Sequence, residues 1–169
     1  MKDPAEVLSD LEAVLDELEE AARKGAVLVE GRRDAAALAA LHVDGSVEVL
    51  NRGVGLLRRC EELARAHESV TLLTDWDAKG DELAGQLAGG LTRGGVEVDL
   101  ESRERLRRLT RGSCKAVEEL PSFLRRVRAA ALAKRPSRDL PVSWREKKAE
   151  RMRLSETRKR NGGPRGRRP

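Results

Sequence analysis

Three carboxylates fall where side chains can do chemistry. Glu30 follows the apolar run AVLV at 26–29, and Asp75 and Asp77 sit in TDWDAKGD, directly after the apolar run VTLL. If the chain stays extended past each run, Asp75 and Asp77 point to one side and Trp76 to the other. Carboxylates sharing a cleft repel, which raises their pKa values unless a cation neutralises them. Mg²⁺ suits such a set, being hard, oxygen-liganded and content to keep several waters beside one or two carboxylates. A metal held that way stabilises charge on the attacking and leaving oxygens of phosphoryl transfer. The plainer role for any one of these acids is a polar strand end that caps the next helix. Three from two strand ends, with Gly31 and Gly80 leaving backbone room, favour a site. Asp34 reads better as a helix cap than as a ligand, and Asp81 as a solvent-exposed residue. Lys79, Arg32 and Arg33 form a basic rim that is solvated or meets substrate phosphates. Gly53-x-Gly55 reads as a plain turn.

The elements that must position these acids follow from periodicity. Residues 5–24 read as a helix, with Asp3 as cap, Pro4 at the first position and Gly25 after the end. Val7, Leu8, Leu11, Val14, Leu15 and Leu18 form its core-facing stripe. Short apolar runs predict strands at 26–29, 46–50, 70–74 and 96–100. Helices are predicted at 34–41, 55–66, 79–92, 101–111 and 120–134. Strands alternating with helices give an α/β fold, a four-stranded, mainly parallel sheet flanked by helices. Ligands of such sheets gather beyond the carboxyl ends of the strands. If the first and third strands are neighbours, about 4.8 Å apart, Glu30 reaches the Asp pair.

Charged residues make up 37% of the 169 residues, and the net charge of +5 is unevenly spread. Residues 134–169 carry a net +10 and residues 1–133 a net −5. The segment RKRNGGPRGRRP, from Arg158, has no apolar residue. It cannot bury enough surface to offset its ordering entropy, so a disordered basic tail is expected over 135–169. Basic arms bind nucleic acid through phosphate contacts, and that is the partner expected here. The chain contains no Tyr, which excludes a tyrosine nucleophile. Cys60 and Cys114, with His42 and His67, lack the spacing of a zinc site, so the thiols are expected to be buried and inert. No apolar run approaches the 18 or more residues of a membrane span, and the acidic start lacks a signal pattern, so a cytoplasmic protein is expected. Three aromatics are too few for a platform that stacks single-stranded bases, and recognition by shape and backbone fits better.

VLVEGRRDAAAL (27–38) resembles the first motif of the Toprim domain, and LLTDWDAKGDEL (72–83) resembles its DxD motif. SCKAVEEL (113–120) resembles the end of small Toprim proteins. The layout is most similar to a family of small archaeal Toprim proteins, and is also similar to primase Toprim domains and the bacterial ribonuclease that matures 5S ribosomal RNA. The resemblance implies a Rossmann-like Toprim fold over 25–134, with residues 1–24 an amphipathic helix packed on it. It implies Mg²⁺, as two ions and replaceable by Mn²⁺. Glu30 would be a metal ligand and general acid or base, Asp75 would bridge two ions, and Asp77 would hold the second. The expected function is Mg²⁺-dependent work on nucleic-acid phosphodiesters, as a nuclease or nucleotidyl transferase with RNA favoured. The alternative is a non-catalytic accessory protein whose Toprim body is a scaffold and whose tail binds RNA or DNA. A third reading, a haloacid-dehalogenase-type phosphatase, fits less well, because there the DxD follows the first strand.

Overall fold

The computed structural model describes residues 3–51 and 53–133. These belong almost wholly to one compact unit, Met1–Ala131; Leu132 and Ala133 open a second, Leu132–Pro169. The basic tail expected at 135–169 lies outside the described residues.

The described elements run in the order α1 (Pro4–Lys24), β1 (Ala26–Val29), α2 (Arg32–Ala40), β2 (Val47–Val49), α3 (Leu56–Ala66), β3 (Ser69–Leu73), α4 (Ala78–Arg93), β4 (Glu97–Asp99), α5 (Glu101–Thr110), a single 3₁₀ turn (Val117–Glu119) and α6 (Leu120–Ala133). The sheet order is β2-β1-β3-β4. Every pairing is parallel, so the sheet is all-parallel rather than mainly so. Among the described residues each strand returns to the sheet through a helix, as parallel crossovers require.

β1 is buried along its whole length, as a central parallel strand covered on both faces should be. Its side chains divide between two cores. Val27 and Val29 face one formed with α1, α2, α5 and α6, where Leu11, Leu18, Leu38, Leu106 and Leu120 lie. Ala26 and Leu28 face the other, where Leu63, Leu72, Leu87 and Leu91 of α3, β3 and α4 pack. Of the α1 stripe, Leu11, Val14, Leu15 and Leu18 are buried and Val7 and Leu8 partly so, and Asp3 accepts the Ala5 N–H at 3.0 Å as its cap.

At the lower, N-terminal edge of the sheet two glycines allow very close approach. A Cβ on Gly25 would lie 2.3 Å from the Ser69 carbonyl oxygen, and one on Gly45 would lie 2.6 Å from the Ala22 carbonyl. Gly45 also has φ +138, a conformation that a residue with a side chain rarely adopts.

Among the described residues no helix is long and apolar enough to cross a membrane. Cys60 and Cys114 are unpaired and buried. Burial raises both thiol pKa values, with Glu119 adding to it at Cys114, which reaches about 11.

A candidate acidic site at the sheet's switch point

The chain leaves β1 toward β2 on one side and leaves β3 toward β4 on the other. β1 and β3 therefore flank the point where the winding reverses, and the crevice above it is where open α/β sheets take ligands. Val29 pairs with Leu73 in register. Glu30 continues β1 beyond that pair, and its Oε1 accepts the Asp75 N–H at 2.9 Å. The expected neighbourhood of Glu30 and the Asp pair is thus present, and its first contact runs through the backbone of Asp75.

The loop after β3 is tightly held. Thr74 Oγ1 donates to the Gly80 carbonyl at 2.8 Å. The Trp76 N–H donates to the Lys115 carbonyl at 2.9 Å, tying the loop to residues 113–119. Trp76 itself is buried in the α1-side core, while the chain bends at Trp76 and Asp77 instead of staying extended as strict alternation assumes. Its indole N–H is buried and finds no acceptor among the described residues. A Cβ on Gly80 would lie 1.9 Å from the Asp75 carbonyl oxygen, so only glycine permits this turn.

Asp77 caps α4, its Oδ1 accepting the Gly80 N–H at 2.7 Å. It is exposed, whereas Asp75 is half-buried. Asp34 is buried and does act as a cap, Oδ2 accepting the Gly31 N–H at 2.9 Å. Its Oδ1 accepts the Glu118 N–H at 3.2 Å, so one carboxylate staples α2 to the 3₁₀ turn. Arg32, Arg33 and Lys79 are exposed at the rim, and Arg33 lies 3.9 Å from Glu118. Asp81 is exposed as expected, but it is engaged by Arg103 at 2.6 Å and Arg107 at 3.2 Å, which hold its pKa below the usual carboxylate range.

The electrostatics single out Asp75. Burial, then the charges of Glu30, Asp34, Asp77 and Glu118, push its pKa up to about 6. Among the described residues no group of three or more His, Cys, Asp or Glu side chains is drawn together closely enough to hold a metal ion outright. Glu30, Asp75 and Asp77 converge on one sheet edge, then, as an acidic rim and not as a closed cage.

Two contributors were not singled out from the sequence. Arg103 of α5 is buried and donates to the Thr74 carbonyl at 3.1 Å, to the Asp75 carbonyl and to Asp81. It fixes the backbone that carries Asp75. Glu118 belongs to the segment 113–120 but was given no role; it supplies a backbone N–H and a fourth neighbouring charge.

Fold and site together define a class: a doubly wound, all-parallel α/β protein with carboxylates at its switch point. No family model matches the chain. It is 36% identical over 122 residues to a UPF0292 protein of Methanosarcina barkeri, covering 72% of this chain and 85% of that one. A UPF0292 protein of Pyrococcus horikoshii is 39% identical over 116 residues, covering 69% and 85%. The chain belongs to the UPF0292 family. A solved structure of an Aquifex aeolicus protein superposes with a TM-score of 0.57 at 28% identity, covering 64% of this chain and 96% of that one.

Proposed function

We propose that the chain is a Toprim-type, Mg²⁺-dependent enzyme that acts on nucleic-acid phosphodiesters, with folded RNA favoured over DNA. The observation that carries this is the convergence of Glu30 with Asp75 and Asp77 at the switch point, with Asp75 held near pKa 6 by burial and four neighbouring carboxylates. Excess negative charge is what a bound dication relieves. The donor set fits Mg²⁺ or Mn²⁺, being entirely carboxylate oxygen. Asp75 engages its neighbours through backbone groups, which leaves its carboxylate available; Glu30 and Asp77 each commit one oxygen to a backbone N–H. Glu30, Asp75 and Asp77 would hold the metal, which would supply charge stabilisation at the attacking and leaving oxygens. Glu30 would exchange protons with the reacting water or hydroxyl. Arg103 keeps the Asp75 backbone in place. The phosphatase reading is weaker, since the DxD follows β3 and not β1.

The test is turnover of labelled RNA and DNA hairpins with Mg²⁺ or Mn²⁺ against EDTA, in wild type, Asp75→Asn and Glu30→Gln. Metal-dependent cleavage or nucleotidyl transfer lost in both variants is expected. Equal activity in Asp75→Asn sinks the proposal.

One observation favours a second reading. Asp77 and Asp34 already serve as helix caps, and no ready-made ligand cage exists among the described residues. On that reading the body is a scaffold, and nucleic-acid binding is indifferent to Glu30 and to metal.

A further inference from the structure

The body of the chain is acidic, yet five arginines and only two glutamates lie between Glu101 and Arg111. Arg103 is buried in the loop support described above. The other four, Arg105, Arg107, Arg108 and Arg111, line a groove of about 650 Å³ between α5 and α1, with Val7 and Leu109 as its apolar part. Asp10 also lines it, at the α1 wall. Arg105 is paired with Glu17, and Arg107 with Asp81 and Glu104. Arg108 and Arg111 are exposed, and among the described residues no ion pair engages either.

Arg111 is held in a costly conformation. It ends α5 with φ 43, in the left-handed region that favours glycine, and Gly112 follows at φ 77. A helix end of this kind ordinarily takes glycine at the first of these positions. Strain kept at an exposed, unpaired cation points to a use for that cation.

The groove also connects to the acidic edge. Arg107 shares the Asp81 carboxylate with Arg103, and Arg103 holds the Asp75 carbonyl. A polyanion lying along α5 therefore ends beside the loop that carries Asp75 and Asp77.

We propose that the α1–α5 groove is a docking track for the phosphodiester backbone of a nucleic-acid duplex, engaged chiefly by Arg108 and Arg111. Arg108 and Arg111 offer two cations to successive phosphates, and arginine's planar fork suits phosphate oxygens. Among the described residues no aromatic side chain lines the groove, so it offers bases no stacking partner and a paired stem is the form that fits. The proposal rests on the reading that the acidic edge handles phosphodiesters, but its test is independent of turnover.

The full chain is titrated in EDTA with a fluorescent RNA hairpin and a DNA hairpin of the same sequence, at several salt concentrations, by anisotropy. Wild type is compared with Arg108→Ala/Arg111→Gly and with Lys24→Ala/Arg65→Ala, a control pair of exposed cations elsewhere. Each phosphate contact contributes a slope of about 0.9 in log K against log salt, so the groove pair should lower the slope by about 2 and weaken binding about tenfold at 0.15 M salt. The control pair should change little. Thermal unfolding guards against misfolding: Arg111→Gly alone relieves the left-handed strain and should melt at or above wild type while still binding more weakly. Equal weakening of RNA and DNA assigns the groove to duplex backbone in general, and a larger loss for RNA assigns it to RNA. Binding by the groove pair equal to wild type, or equal losses in the control pair, overturns the proposal. Groove-dependent binding without metal-dependent turnover leaves the track standing and removes the enzyme.

Discussion

Replacing Asp75 with Asn should stabilise the metal-free protein. The Asp75 carboxylate accepts no hydrogen bond among the described residues, since its contacts run through its N–H and carbonyl. The near-isosteric amide therefore loses no partner. What it removes is a charge that burial and four carboxylates oppose, the pKa rising from 3.8 to about 6. Two pKa units correspond to about 3 kcal/mol at full weight, and solvent screening of a half-exposed group brings this to about 1–2 kcal/mol. The sign follows from proton linkage. Between the unfolded value of 3.8 and the folded value near 6 the folded state binds more protons, so wild-type stability falls as pH rises through that window. The advantage of Asp75→Asn should be full above pH 7, shrink below pH 6 and vanish near pH 4. At about 2–4 °C per kcal/mol for a chain of this size, the melting temperature in EDTA at pH 8 should rise by about 2–8 °C. Added Mg²⁺ or Mn²⁺ should then stabilise wild type saturably and the variant hardly at all. The reasoning is refuted if Asp75→Asn melts below wild type in EDTA at pH 8, or if the difference is the same at pH 4.5 and pH 8.

Three further outcomes are expected. Gly80→Ala should cost about 3 kcal/mol in denaturant unfolding, the upper end for overpacking, because the new Cβ meets the Asp75 carbonyl at 1.9 Å; unchanged stability would show that the loop can shift. Arg103→Ala should cost about 2–4 kcal/mol by leaving the Thr74 and Asp75 carbonyls without this donor, and Arg103→Lys should not restore it, because one ammonium nitrogen lacks the planar fork whose Nε and Nη2 reach the two carbonyls separately. Cys114, buried with a pKa of about 11, should have only about one thiolate in a thousand at pH 8 and react with Ellman's reagent at a rate set by opening of the fold; rapid modification of the native protein would contradict its burial.

The alternation of strands and helices and the position of the acids at strand ends were legible because local and global signals agree, whereas the strand order was left conditional. AVLV is too short for a helix and too apolar for an exposed strand, so it reads as central, and Glu30 follows as the first residue past the sheet. Asp77 was read only as the second acid of the DxD pair, and the structure adds that it caps α4. Arg103 was not singled out because it sits in ESRERLRRLTRG, where five arginines look alike and only the phase of α5 against β3 decides which turns inward. A signal existed: Arg103, Leu106 and Thr110 share one helix face by spacing, and all three are buried. Glu118 was missed for a different reason. Its part depends on the staple from Asp34, 84 residues earlier, which no local pattern encodes.

The hydrogen bond from Trp76 to the Lys115 carbonyl, and the one from Glu118 to Asp34, join segments that leave the ribosome at different times. The chain emerges from its N-terminus, so β1 and β3 can pair before residues 103–118 exist outside the ribosome. A nascent chain at that stage has Glu30 and Asp75 on adjacent strands but lacks the Arg103 guanidinium and the Lys115 carbonyl that fix the loop. The loop that carries Asp75 and Asp77 lacks those ties until α5 and the 3₁₀ turn arrive. The charged edge thus acquires its supports only after the β1–β3 pair beneath it is available, and before α6 is complete.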